Sequence, residues 1–89
     1  MSYEGASKEE LLAQAHQCLE QLRSVHKQLT KVIRESGQTS KEISRLNTAE
    51  GYLLLDRICM TVTEASIRLA HTELSINKSL AFIDKLEKE

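Results

Sequence analysis

Apolar residues recur in steps of three and four along the N-terminal half of the chain, and this spacing is the strongest constraint on the fold. A second apolar row lies beside the first and widens it. The heptad spacing predicts a long helix with one broad buried face. The first row is Leu12, Ala15, Leu19, Leu22, His26, Leu29 and Ile33, and the second is Leu11, Cys18, Val25 and Val32.

The expected limits of the helices follow from capping residues. Ser7 with Glu10 has the spacing of a capping box, so the first helix is predicted over about 8–35, after a flexible tail at 1–6. Gly37 is the residue type that ends helices, which predicts a turn at 36–39. A second helix is then predicted over about 40–87, and residues 7–89 form a single helical domain. The segment 47–51 resembles another cap and allows a kink.

The second helix carries two apolar stripes about 200° apart, since they are offset by two residues at 100° per residue. A helix of this kind needs neighbours on two sides. The first stripe is Leu55, Ile58, Val62, Ala65, Leu69, Thr72, Ile76, Ser79, Ile83 and Leu86. The second stripe is Leu46, Leu53, Met60, Ile67, Leu74 and Ala81.

A turn near residue 38 places Ser7 level with Leu69 or Ala70, His26 opposite Gly51, and Cys18 level with Cys59. Everything beyond Ala70 would then extend past the first helix without an intramolecular partner. The predicted fold is therefore all-α, an antiparallel helical hairpin with a long second helix that dimerises into a four-helix bundle. The alternative is a monomeric three-helix bundle, which needs a break at 72–77, near Ser75.

The sequence contains no recognisable catalytic, cofactor-binding or metal-binding motif. The residues three positions before the histidines are Ala13, Arg23 and Arg68, so the Glu-x-x-His pair of a di-iron bundle is absent. Zinc spacings and phosphate-binding loops are also absent. We therefore expect no enzymatic activity and no cofactor.

The net charge and the lengths of the apolar runs argue against some classes of partner. The net charge is -1 with both signs interspersed, which argues against nucleic acid. The longest apolar run is only four residues, Tyr52–Leu55, so no membrane insertion is expected. Two cysteines without Cys-x-x-Cys spacing and no visible targeting segment predict a reducing, cytoplasmic location.

These features predict a non-enzymatic protein–protein interaction module, acting as an adaptor, regulator or small chaperone. Its partners would be a second copy of the chain, a helical protein, or both. The expected contact surface combines the second stripe with the C-terminal overhang. The predicted partner-binding residues are Met60, Ile67, Leu74, Ile76, Leu80, Phe82, Ile83 and Leu86.

The alternative function is a small regulatory enzyme. The segment 22–46 resembles the helical-hairpin phosphatases of the sporulation phosphorelay through Leu22-Arg23, Gly37, Thr39-Ser40, Glu42 and Leu46. Their Ser-Gln-x-x-Asp stretch would fall at Asn47–Gly51, where this chain lacks it. A response-regulator phosphatase would instead have to use Glu50, Asp56 or Arg57.

Overall fold

The computed structural model describes residues 7–89 and consists of two long α-helices packed against each other. Helix α1 spans Lys8–Ser44 and helix α2 spans Ala49–Lys88, with lengths of 37 and 40 residues. The four residues 45–48 connect them. The predicted all-α helical hairpin is confirmed, whereas the predicted tail at 1–6 lies outside the described residues.

The beginning of α1 agrees with the capping residues read from the sequence. Ser7 has extended backbone angles, and its hydroxyl oxygen accepts a hydrogen bond from the Glu10 amide at 3.1 Å. Glu9 and Glu10 lie in the first turn, where the positive end of the helix dipole favours acidic side chains. The predicted start of the helix at residue 8 is confirmed.

The predicted turn at 36–39 is wrong. Gly37 lies inside α1, residues 40–44 belong to α1 rather than to the second helix, and the chain reverses at 45–48. The segment predicted as a kink is therefore the turn and the start of α2. Asn47 has a φ of 49°, the left-handed conformation that Asn tolerates better than most residues. Thr48 caps α2 by accepting a hydrogen bond from the Gly51 amide at 3.0 Å.

The energies of the two turns explain why α1 continues through its glycine. A glycine inside a helix costs about 1 kcal/mol relative to alanine. Ending α1 at Gly37 would shorten it and expose Ile83 and Leu86, and burying each of these side chains is worth about 1.5–3 kcal/mol. Because the loss in burial exceeds the cost of one glycine, the later turn is favoured.

The later turn removes the predicted C-terminal overhang. Helix α1 begins and helix α2 ends at the same end of the hairpin, and Ile83 and Leu86 are 5% and 1% exposed. His26 lies beside Glu73 rather than opposite Gly51. Cys18 shares a groove with Phe82, so it is not level with Cys59.

One continuous seam joins the two helices. Every residue of the predicted first rows of α1 and α2 is buried or half-buried, and the α1 row continues through Ser36, Ser40 and Ile43. Helix α2 is continuous from Ala49 to Lys88, so the break that a three-helix bundle requires near Ser75 does not occur.

The hairpin is a rod rather than a sphere. Its principal extents are 61 × 18 × 17 Å and its radius of gyration is 19.5 Å, against about 12 Å for a compact chain of this length. Among residues 7–89, neither helix has a stretch apolar enough to cross a membrane.

Candidate interaction surface

The second stripe of α2 faces solvent along its whole length, and we call it the outer row. Its members recur in steps of seven, from Leu46 in the connection to Ala81, which keeps those on α2 on one side of that helix, and Ile67 among them also lines the groove beside α1. Five large side chains of this row are 55–65% exposed, and Ala81 is also exposed. The five are Leu46, Leu53, Met60, Ile67 and Leu74.

The structure divides the eight predicted partner-binding residues into two groups. Five lie on the surface at 40–65% exposure, namely Met60, Ile67, Leu74, Leu80 and Phe82. The other three, Ile76, Ile83 and Leu86, point into the seam with α1. The sequence placed these three on the surface because it assigned the turn too early.

A second exposed apolar surface lies between the helices, and we call it the apolar groove. It has two sections, with volumes of about 600 Å³ and about 370 Å³. The α1 residues of the two sections are related by steps of 14, so both sections occupy the same side of the hairpin. The larger section is lined by Val25, Gln28, Leu29, Val32, Ile67, Arg68, His71 and Thr72, and the smaller by Leu11, Gln14, Ala15, Cys18, Lys78, Ser79 and Phe82.

The apolar groove exposes large side chains from both helices. Val25 and Val32 on α1 are 43% and 39% exposed, and Phe82 on α2 is 40% exposed. Sequence reasoning recognised the α1 row but missed the groove, because the early turn gave α1 the wrong neighbours on α2.

The other side of the same seam is polar, and we call it the polar groove. It is lined by Arg23, His26, Glu73, Ile76 and Asn77. The His26 Nε2 and Glu73 Oε1 atoms are 3.2 Å apart and join the two helices. The side chains are 37% and 56% exposed, so this pair is solvated rather than part of the core.

The remaining chemistry-bearing side chains do not converge on a reactive centre. Cys18 and Cys59 are both exposed free thiols. Within residues 7–89 no three His, Cys, Asp or Glu side chains are grouped closely enough to hold a metal ion. Glu50, Asp56 and Arg57 occupy exposed positions near the start of α2.

Comparisons with known proteins give no relative for this chain. No protein-family model, curated protein or solved structure matches it.

Proposed function

We propose that this hairpin is a non-enzymatic protein–protein interaction module that binds a helix of another polypeptide, serving as an adaptor, regulator or small chaperone. The observation that supports this function is the outer row of α2. Single exposed apolar residues are common on protein surfaces, but a contiguous apolar row is typical of a binding surface.

The spacing of the outer row indicates what would cover it. Residues in steps of seven stay in register with a partner helix in a coiled coil. Leu53, Met60 and Ile67 occupy three successive steps in the middle of the row. A partner helix in this position would pack along α2 over these side chains.

The small core of the hairpin also supports a binding role. Only Leu19, Ala65, Ile83 and Leu86 are buried apolar residues among those described. A core of this size gives a two-helix hairpin little stability by itself, so a bound helix would add the apolar contacts that it lacks. A second copy of the chain would give a four-helix bundle, and a helix of another protein would bind by the same contacts.

The test compares two triple variants of the full chain by chemical cross-linking and mass spectrometry in an extract of its source cells. Leu53→Glu, Met60→Glu and Leu74→Glu place charges on the part of the outer row that lies outside the groove between the helices. Gln17→Glu, Ser24→Glu and Gln38→Glu place the same charges on the exposed back of α1, as the matched control.

We expect the control to retain the cross-linked proteins of the wild type, including further copies of itself, and the outer-row variant to lose at least one of them by about tenfold or more. Circular dichroism of both variants checks that the helices are intact. The same cross-linked proteins, in the same yield, from two folded variants would contradict the proposed function.

A further inference from the structure

The side chains that border the apolar groove are segregated by charge along its length. The charged α2 side chains that line the two sections of the groove are the basic Arg68 and Lys78, and no acidic side chain lines either section. The rows that supply Gln14 and Gln28 on α1 and His71 and Lys78 on α2 continue toward the turn in steps of seven. There they become mainly acidic.

The formal charges of these rows can be summed separately for the half of the hairpin near the free ends and the half near the turn. In these rows the half near the free ends carries Lys78 and Lys85, a formal net charge of +2 with His71 neutral, and the row that contains Arg68 also contains Glu89, so it leaves this sum unchanged. The half near the turn carries four carboxylates and one guanidinium, a formal net charge of -3. These are Glu35, Glu42, Glu50, Glu64 and Arg57.

We infer that the apolar groove binds a second copy of this chain in the inverted orientation, so that the turn of one protomer lies over the free helix ends of its partner. This inference rests on the proposed function, in that it names the partner for one part of the exposed apolar surface. It leaves Leu53, Met60 and Leu74 of the outer row available for a different helix, whereas Ile67 lines the groove.

The inverted orientation follows from charge complementarity. A two-fold axis perpendicular to the long axis of the hairpin lays each helix over its own copy. The half of α2 near the turn, with a net charge of -1 from Glu50, Arg57 and Glu64, then lies over the half of the partner's α2 that carries +2 from Lys78 and Lys85. A two-fold axis along the long axis places like halves together, with Glu35 of one protomer near Glu64 of the other. The apolar side chains would be covered in both arrangements, so the charges decide between them.

The available area is sufficient for a stable dimer. The extents of the hairpin, 61 by 18 Å, set an upper bound of about 1,100 Å² on the area of one face, and a standard interface needs about 800 Å² on each side. Val25, Val32 and Phe82 supply the apolar centre that such an interface requires. The inference therefore requires no change in the hairpin itself.

The test measures both mass and orientation on the full chain. In a Cys18→Ala, Cys59→Ser background, one sample carries Arg45→Cys at the turn and another carries Glu89→Cys at the free end of α2, each with a spin label. Sedimentation equilibrium gives the mass. Pulsed electron spin resonance then gives distances in the Glu89→Cys sample alone and in a mixture of the two samples.

We expect a dimer in which labels at position 89 are about 60 Å apart, the length of a 40-residue helix, while mixed dimers hold labels 45 and 89 within about 20 Å. A dimer with a short 89-to-89 distance would overturn the inverted orientation. A monomer at all concentrations, for both the labelled background and the wild-type chain, would overturn the second copy as partner.

The proposed function is tested by a different outcome from the one that tests the inverted dimer. It is contradicted when charges on the outer row leave every cross-linked protein in place, whatever the mass of the wild-type chain. High salt provides one more check on the inference, because an inverted dimer held by complementary charges should dissociate more readily at 1 M than at 0.1 M salt. Tighter association in high salt would contradict the electrostatic selection of orientation.

Discussion

The two sides of the helix seam differ although the same two helices form both. On one side, Val25, Val32 and Phe82 leave the apolar groove open to solvent. On the other side, His26 and Glu73 close the polar groove with a hydrogen bond between helices. The heptad seam fixes how the helices pair, and the residues beside it determine which side is compatible with water.

This difference shows that the pairing of the helices and the polarity of the two grooves are encoded at separate positions. The seam residues are needed for the hairpin itself, so changing them should affect both grooves. The flanking rows can change from apolar to polar without disturbing the seam. Substitutions in the two kinds of position should therefore have effects of different size and on different measurements.

The largest effect is expected in the shared seam. Leu86 is 1% exposed, and Leu86→Ala should lower the free energy of unfolding by about 2–5 kcal/mol, from lost burial and the cavity that remains. The measurement is urea unfolding followed by circular dichroism. Leu74→Ala, on the outer row at 55% exposure, is the matched control and should cost less than about 1 kcal/mol in a monomer. Equal losses in the two variants would contradict the assigned seam.

The second largest effect is expected on the dimer Kd, and only for substitutions in the apolar groove. Val25→Glu with Val32→Glu places two carboxylates in the apolar groove that must be desolvated in the dimer, and we expect the dimer Kd to rise by about 100-fold, or about 2.7 kcal/mol. His16→Glu with Thr30→Glu makes the same change of charge on the polar side of α1 and should alter the Kd by less than threefold. Sedimentation equilibrium measures both. A control pair that dissociates the dimer as strongly would show that the two sides are equivalent.

A smaller effect of opposite sign is expected at Gly37, on the polar side of α1. A Cβ added there meets no atom within 4 Å, so Gly37→Ala should stabilise the helix by about 0.5–1 kcal/mol. At Gly51 a Cβ would lie 3.2 Å from the Thr48 Oγ1 atom, and Gly51→Ala should gain less or lose stability. Thermal unfolding compares the two. Destabilisation by Gly37→Ala would indicate that Gly37 belongs to a turn after all.

The smallest effect is expected for the contact between His26 and Glu73 in the polar groove. Glu73→Gln removes the charge that faces His26, but both side chains are solvated, so the free energy of unfolding should change by no more than about 0.5 kcal/mol. A double-mutant cycle with His26→Gln isolates the pair. A coupling energy above about 2 kcal/mol would mean that this contact, rather than the apolar seam, holds the helices together.

The residues of the repeating apolar pattern could be predicted from the sequence, but the position of the turn could not. The steps of three and four identified the seam residues on both helices, because helix geometry fixes which positions share a face. Gly37 gave a local turn signal that was outweighed by burial at the far end of the molecule, at Ile83 and Leu86. Local capping chemistry cannot include contacts between residues far apart in the chain.

The same limit applies to the interaction surface. The outer row could be predicted from its steps of seven alone, and the structure leaves it exposed. The apolar groove could not be found, because it requires knowing that Val25 and Ile67 border the same space. That relation depends on the position of the turn. Because the predicted turn was displaced, the groove was missed, and the seam residues Ile76, Ile83 and Leu86 were assigned to the surface.

The alignment of the two helices is thus the claim on which both surfaces depend. It is tested most directly by one intramolecular distance, between spin labels at Glu9→Cys and Glu87→Cys in the Cys18→Ala, Cys59→Ser background, with the labelled chain diluted into unlabelled protein. A turn at 45–48 places both labels at the free ends of packed helices, within about 20 Å. A turn at 36–39 would displace position 87 by about 20 residues beyond position 9, so a distance above about 30 Å would contradict the account.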